Sequence, residues 1–309
     1  MHKTHSKSVT SFFQGPVLIV LAAALWALDG IIRRSLYHLS PVVIVFYEHL
    51  IGSLILLPIV VPILKKEKLT GQVLFNASIV ALLGGLLGTL FITTALIKVN
   101  FIAFSVVFLI QKLQPLFAAG SAHFLLGEKI TSKYIKWAVL ALGAAFFVTF
   151  PNGNVNLDSG SGTLIAALFA FAAAVSWGIS TTLSKSLLNT VSYQGGTILR
   201  FYLSTAWALI AVFVLGQSAS LMTVGAFELS RLVYIALTTG LLAMWIYYKG
   251  LKKTEAKVST ILELTFPLLA VFIDMFLYKS FLTPTQYLAA AVLMFAIYQV
   301  GKLQHAVSN

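Results

Sequence analysis

Long apolar runs dominate the chain, and short polar stretches punctuate them. Ten runs stand out, at residues 15–35, 41–63, 74–97, 102–125, 132–150, 161–184, 193–216, 229–250, 257–278 and 284–303. About twenty apolar residues in a helix cross the hydrocarbon core of a bilayer, so each run predicts a membrane-spanning helix. The longest connections, around "PNGNVNLDSG" and "LGQSASLMTVGAFELS", are too short to hold a soluble domain. The pattern predicts an all-α integral membrane protein with ten transmembrane helices. Lys3 and Lys7 ahead of the first run imitate a signal peptide. That run continues through Trp26 to Ile32, however, and has a counterpart later in the chain.

The apolar pattern is broken most sharply in "LIQKLQPLFAAGSAHFLLGEK", where Gln111, Lys112, Gln114 and Pro115 sit inside the fourth run. A second break, "LELTFPLLAVFIDMFLYKSFLT", lies in the ninth. A shift of 152 places Pro115 on Pro267, Gln111 on Glu263 and Thr131 on Thr283. At nearly the same shift Trp26 meets Trp177, Leu36 meets Leu187 and Glu48 meets Arg200. The chain therefore divides into two five-helix repeats, residues 1–152 and 153–309. Five spans is an odd number, so the second repeat is inverted relative to the first. Inverted repeats that meet at a midplane site are a design of secondary transporters.

These features resemble the EamA-type drug/metabolite transporters. Five plus five spans, a tryptophan in the first helix of each half and a proline in the fourth carry the resemblance, with "QPLFAAGSAHFLLGEKIT" as its most specific stretch. It implies a ten-helix inverted-repeat bundle around a central cavity, moving small metabolites, amino acids or drugs, often outward. Two departures stand out. The second helix carries "YEHL", Glu48–His49, where the family often has arginine, and the ninth ends "LYKSFLT" without Gly–Glu.

Charge adds orientation. Of 309 residues 59% are hydrophobic and only 10% charged, against about a quarter charged in soluble domains. The pI is near 9.8, which raises nucleic acid as a partner until the 21 lysines and arginines are placed. With the N-terminus inside, fourteen lie on cytoplasmic segments, among them Lys65, Lys66, Lys129, Lys133 and Lys252. Five lie outside (Arg33, Arg34, Lys98, Arg231, Lys279), and Lys112 and Arg200 lie within spans. Such a bias orients membrane proteins. It predicts both termini in the cytoplasm of a multi-pass cell-membrane (inner or plasma membrane) protein, and it accounts for the basic pI without nucleic acid. There is no cysteine, so disulfides, thiol nucleophiles and cysteine metal sites are excluded.

Ionisable residues inside spans are costly and usually line a cavity. Asp29, Glu48, Glu263 and Asp274 are the intramembrane acids, and Lys112 and Arg200 the deep bases. Helical spacing groups Trp26, Asp29, Gly30 and Arg33 on one face, and Glu263, Pro267 and Asp274 on another. Gln111 and Pro115 share a stripe, as do Thr238, Trp245 and Tyr248. Pro115 and Pro267 each remove a helix hydrogen bond, freeing the carbonyls of Gln111 and Glu263. Broken backbone is tolerated at membrane depth where it lines a cavity. Glu263, Gln111, Lys112, Gln114, Arg200, Glu48 and Asp29 are therefore the candidate binding or coupling residues, with Trp26, Trp177, Trp245 and Tyr248 as aromatic walls.

Bland readings stand beside these. The polar residues of the fourth helix serve equally as interhelical glue, Glu48 and Arg200 as a structural pair, Asp29 and Arg33 as a local ion pair, and His49 and His123 as packed residues. Four acids against two deep bases favour a small cationic or zwitterionic substrate, with anions as the runner-up.

No P-loop for ATP and no H-E-x-x-H motif occurs. The expected protein is a secondary transporter, an exporter by its family resemblance. It would work by alternating access as a monomer or homodimer, without cofactor or metal, with proton coupling as an energy source. The alternative class is an intramembrane enzyme acting on lipid through His49, His123 and Arg200.

Overall fold

The computed structural model describes residues 14–36, 38–98, 107, 110–155, 163–279 and 281–306. The start of the fourth predicted span lies outside the described residues. So do the side chains of Arg34 and Asp274 and the lysines at positions 3 and 7. Every regular element among the described residues is helical. In chain order these are α1 (Gln14–Ala27), α2 (Asp29–Arg33), α3 (Pro41–Leu64), α4 (Gly71–Lys98), α5 (Gln114–Leu126), α6 (Ser132–Thr149), α7 (Thr163–Thr190), α8 (Tyr193–Val214), α9 (Ala226–Leu251), α10 (Ala256–Leu262), α11 (Thr265–Tyr278) and α12 (Pro284–Ala306). Among the described residues seven stretches are long and apolar enough to cross a membrane: α3, α4, α7, α8, α9, α10 with α11, and α12. Leu57, Phe75, Phe124, Val139, Leu164 and Val214 stand exposed on the outer faces, as lipid permits and water would penalise.

Local chemistry sets the helix ends. Thr70, Thr131 and Ser192 cap α4, α6 and α8 by accepting the backbone N–H of Val73, Tyr134 and Gly195. The repeated threonines of "KIT" and "FLT" act alike. Thr131 opens α6, and Thr283 opens α12 in a reciprocal box with Gln286. Gly127, at φ +69°, closes α5. α7 runs on to Thr190, past the end its polarity predicts. Lys185 there donates to the carbonyls of Leu251 and Lys252, tying the extra turns to the end of α9.

Packing is mirrored between the halves. α3 packs on α8, and α6 on α12. α1 packs on α9 and α11, just as α7 packs on α4 and α5. Alanines such as Ala22, Ala138, Ala141, Ala145 and Ala296 are buried between these helices, letting backbones approach closely. Ser53 and Thr205, 152 residues apart, hydrogen-bond to each other at 3.0 Å where α3 meets α8.

A further symmetric feature is absent from the pattern-based reading. α4 and α9 each change to a seven-residue π-helix midway, at Ala81–Leu87 ("ALLGGLL") and Ala236–Leu242 ("ALTTGLL"). Five of the seven residues are identical. π segments disturb the helix ladder and often occur at functional sites. Here the carbonyls of Val80, Ala81 and Gly84 are taken by Ser180, Ser204 and Trp177.

Candidate functional site

The interrupted helices enclose a cavity of about 340 Å³ between the two halves. Each half contributes a helix break. Leu113 N–H donates to Ile110 O at 3.0 Å before α5 begins, and Leu264 N–H donates to Ile261 O at 3.1 Å before α11. Pro115 sits in the first turn of α5, where a missing N–H costs nothing.

Nine of the eleven proposed binding and aromatic residues line this cavity: Trp26, Asp29, Glu48, Gln111, Lys112, Gln114, Trp177, Arg200 and Glu263. Pro115 and Pro267 line it too. Trp245 and Tyr248 do not. Trp245 packs edge-on against Tyr193, 5.6 Å between centroids. Tyr248 is fully buried, and its hydroxyl meets Ser184 at 3.0 Å and Arg200 Nη1 at 3.3 Å. The lining residues of α9 are instead Thr239, Gly240, Met244 and Tyr247. Thr239 and Met244 are five apart, a spacing that shares a face across a π turn and not in an α-helix. Thr238, Trp245 and Tyr248, aligned by an unbroken α period, therefore miss the cavity.

One wall is an ion-pair cluster. Arg33 Nη2 donates to Glu48 at 2.9 Å and to Asp29 at 3.0 Å, and Arg33 Nε also donates to Asp29. Thr239 donates to Asp29 at 2.6 Å. Arg33 Nη1 is buried without a hydrogen bond among the described residues. Arg33 thus turns inward and does not reach out to water, and Glu48 pairs with Arg33 and not with Arg200. The cause is the break at Leu28, whose N–H bonds to Leu25 O, so that α2 restarts with Asp29 and Arg33 beside α9 and within reach of Glu48 on α3.

A second part of the lining centres on Glu263. Tyr247 hydroxyl donates to it at 2.7 Å and Gln114 Nε2 at 3.1 Å. Tyr247 packs on Trp26 with centroids 5.1 Å apart. Lys112 is only 8% exposed and lines the same cavity. Among the described residues it has no hydrogen-bond or ion-pair partner, and Glu263 is held by Tyr247 and Gln114 instead. His49 Nδ1 donates to Val45 O at 2.8 Å, and its ring lies against Phe201. His123 bonds to Glu128 O at the far end of α5, away from this lining. Of the three residues of the lipid-enzyme reading, His49 and Arg200 line the same cavity and His123 stands apart from it.

Among the described residues the lining charges balance. Asp29, Glu48 and Glu263 face Arg33, Lys112 and Arg200. The acidic excess that favoured a cation came from counting Asp274, whose side chain lies outside the described residues, and from leaving Arg33 out. Between the charges stand Trp26, Trp177, Tyr247 and Phe266 with the hydroxyls of Ser180, Thr181, Ser184 and Thr260. The cavity can stack a flat ring and hydrogen-bond a polar, net-neutral molecule.

At the cytoplasmic side of the predicted topology, Glu128 of "LLGEK" accepts the N–H groups of Ala256 at 2.7 Å and Lys257 at 3.1 Å, capping α10 from the connection between α5 and α6. Burial pushes its carboxyl above the usual range, while those two backbone bonds pull it down. The pattern-based reading missed it as a structural residue.

Comparison with known proteins agrees with this architecture. Residues 13–150 and 164–301 each match the EamA-like transporter family. A riboflavin transporter, ImpX, from Fusobacterium nucleatum is 36% identical over 296 residues, 94% of this chain and 98% of that one. An uncharacterized transporter of Clostridium kluyveri is 26% identical over 263 residues, 83% of each chain. A solved crystal structure superposes with a TM-score of 0.73 over 95% of this chain and 99% of its own, at 16% identity, a likeness of fold.

Proposed function

The chain belongs to the EamA-like transporter family, and from that premise we propose that it carries riboflavin or a closely similar flavin across the membrane by secondary alternating access. The chain is a multi-pass membrane protein of two repeats. The observation that carries the flavin reading is the cavity itself: aromatic walls, amide and hydroxyl groups, and balanced charge, in a chain 36% identical to a riboflavin transporter. Riboflavin is a flat, net-neutral heteroaromatic with a polyhydroxylated tail. The cavity volume falls at the small end of the roughly 300–1,000 Å³ usual for ligand pockets, as suits a close-fitting carrier.

The proposed frame is ten membrane crossings in two inverted halves, 1–152 and 153–309, both termini in the cytoplasm, in the cell membrane. Glu263 is its coupling carboxylate, and the other charged and aromatic lining residues bind substrate together with it. The protein performs no chemistry on its cargo. Labelling of Asn154→Cys from the cytoplasmic side of sealed vesicles would overturn the orientation, cleanly so because the chain has no native cysteine.

The function is tested by counterflow in proteoliposomes preloaded with riboflavin, without nucleotide. Saturable exchange of labelled riboflavin, absent from protein-free liposomes, is expected. Running the assay with the gradient in either direction tests the outward movement implied by the family resemblance. Glu263→Gln should lose accumulation driven by a pH gradient while counterflow persists at saturating riboflavin. Absence of any flavin exchange, with a different solute exchanged instead, overturns the substrate. A requirement for ATP overturns the mechanism.

A further inference from the structure

The two helix breaks present opposite charges from one equivalent position. Ile110, Lys112 and Leu113 before α5 match Ile261, Glu263 and Leu264 before α11 at a shift of 151. The same backbone bond closes both turns, Leu113 to Ile110 and Leu264 to Ile261. Alignment on the prolines sets Gln111 against Glu263. Alignment on the turns sets Lys112 against it. An ammonium and a carboxylate thus project from matching breaks into one cavity, and neither has a partner of opposite charge among the described residues.

Each has capacity to spare. The ammonium of Lys112 carries three donors and is nine-tenths buried with no acceptor among the described residues. A buried charge without compensation is costly, so an oxygen acceptor brought by the substrate is strongly favoured there. The carboxylate of Glu263 takes one bond from Tyr247 and one from Gln114. An ionised carboxylate has about four acceptor sites, so it can take a further N–H.

A flavin ring has one edge that answers both demands. Its pyrimidine end is a cyclic imide, –CO–NH–CO–, with a weakly acidic N–H between two carbonyl acceptors. We propose that Lys112 and Glu263 together read this imide edge, Glu263 accepting the N–H and Lys112 donating to a neighbouring carbonyl. The imide end then enters between the two helix breaks. Trp26, packed on the Tyr247 that holds Glu263, lies beside the ring, and the ribityl chain points away. The assignment rests on the flavin reading above and deepens it by naming the end of the molecule that is recognised. It extends to any flat heterocycle with the same edge and excludes those whose imide nitrogen is blocked.

The test is ligand binding to the purified full-length protein in detergent. Four probes suffice: riboflavin, riboflavin methylated on the imide nitrogen, lumichrome, which keeps the imide and lacks the ribityl chain, and ribitol. Wild type is expected to bind riboflavin and lumichrome, to ignore ribitol, and to bind the methylated flavin about tenfold more weakly, as loss of a charge-assisted hydrogen bond implies. Glu263→Gln should lose about tenfold for riboflavin and little for the methylated flavin, so that discrimination collapses. A merely structural role would weaken both ligands alike. Lys112→Met should lose about tenfold for riboflavin and lumichrome, while ligand-free thermal stability does not fall, because the ammonium has no partner to forfeit. Equal binding of riboflavin and its methylated form by wild type would overturn the imide assignment and leave the flavin reading standing. So would equal losses of both ligands in Glu263→Gln. Failure of wild type to bind any flavin removes the flavin reading, and the imide assignment with it.

Discussion

The two halves build the same corner of the cavity with different chemistry. In the first half, Asp29 and Arg33 of α2 and Glu48 of α3 form ion pairs, with Thr239 of the α9 π segment closing on Asp29. At the matching positions of the second half stand Ser180 and Ser184 of α7, Arg200 of α8 and Gly84 of the α4 π segment. There Ser180 bonds a backbone carbonyl, Ser184 bonds Tyr248, and Arg200 bonds Tyr248. A side chain on Gly84 would strike Ser180 and come within 2.7 Å of Arg200 Nη1. One corner is held by charge and the other by hydroxyls and close backbone approach. Removing one partner of a buried ion pair strands the others, whereas removing one neutral hydroxyl costs a single modest bond. The halves share a scaffold and should differ greatly in tolerance.

The largest effect is expected at Arg33. Arg33→Met leaves two acids buried without a cation and should cost about 3–5 kcal/mol, read as a large fall in melting temperature in detergent. Adding Asp29→Asn and Glu48→Gln should recover most of that loss. A single variant as stable as wild type would remove the ion pairs from the comparison.

Next comes Thr239→Val, which deletes the 2.6 Å bond to Asp29 and should cost about 1.5–3 kcal/mol, as for hydrogen bonds to charged groups. In the second half, Gly84→Ala forces a methyl against Ser180 and the Arg200 guanidinium, with an overpacking cost of about 1–3 kcal/mol. Counterflow should slow in the same variant, since Arg200 and Ser180 both line the cavity. Unchanged stability and flux there would mean that the π segment yields freely. Ser184→Ala is the mildest, about 0.5–1.5 kcal/mol, because the Tyr248 hydroxyl keeps Arg200 as a partner. The comparison fails if Ser184→Ala destabilises as much as Arg33→Met.

Much of this was readable from the chain. The apolar runs, the repeat and the break at "QKLQP" came from local pattern, and nine of the eleven proposed binding and aromatic residues do line one cavity. The errors have local causes. The π segment shifts the face of α9, so Tyr247 replaces Tyr248 at the cavity and Trp245 turns to Tyr193. A clue was present, since "ALLGGLL" and "ALTTGLL" repeat at a shift of 155, but helical period arithmetic assumes 3.6 residues per turn throughout. Glu128 drew no role from its local pattern, and it caps α10, more than a hundred residues away.

What the sequence determined by itself is whatever depends on neighbours along the chain. Continuous apolar runs are incompatible with water, proline removes a specific helix bond, and a duplicated pattern implies duplicated structure. Partner choice among the buried charges was decided by tertiary structure alone. Glu48 could as well have met Arg200 as Arg33. The break at Leu28 and the packing of α2 beside α9, within reach of Glu48 on α3, chose Arg33, which left Arg200 to Tyr248 and Lys112 with no partner among the described residues. Electrostatic pairing falls off with distance in space, and spacing along the chain says nothing about which side chains from different helices will stand 3 Å apart.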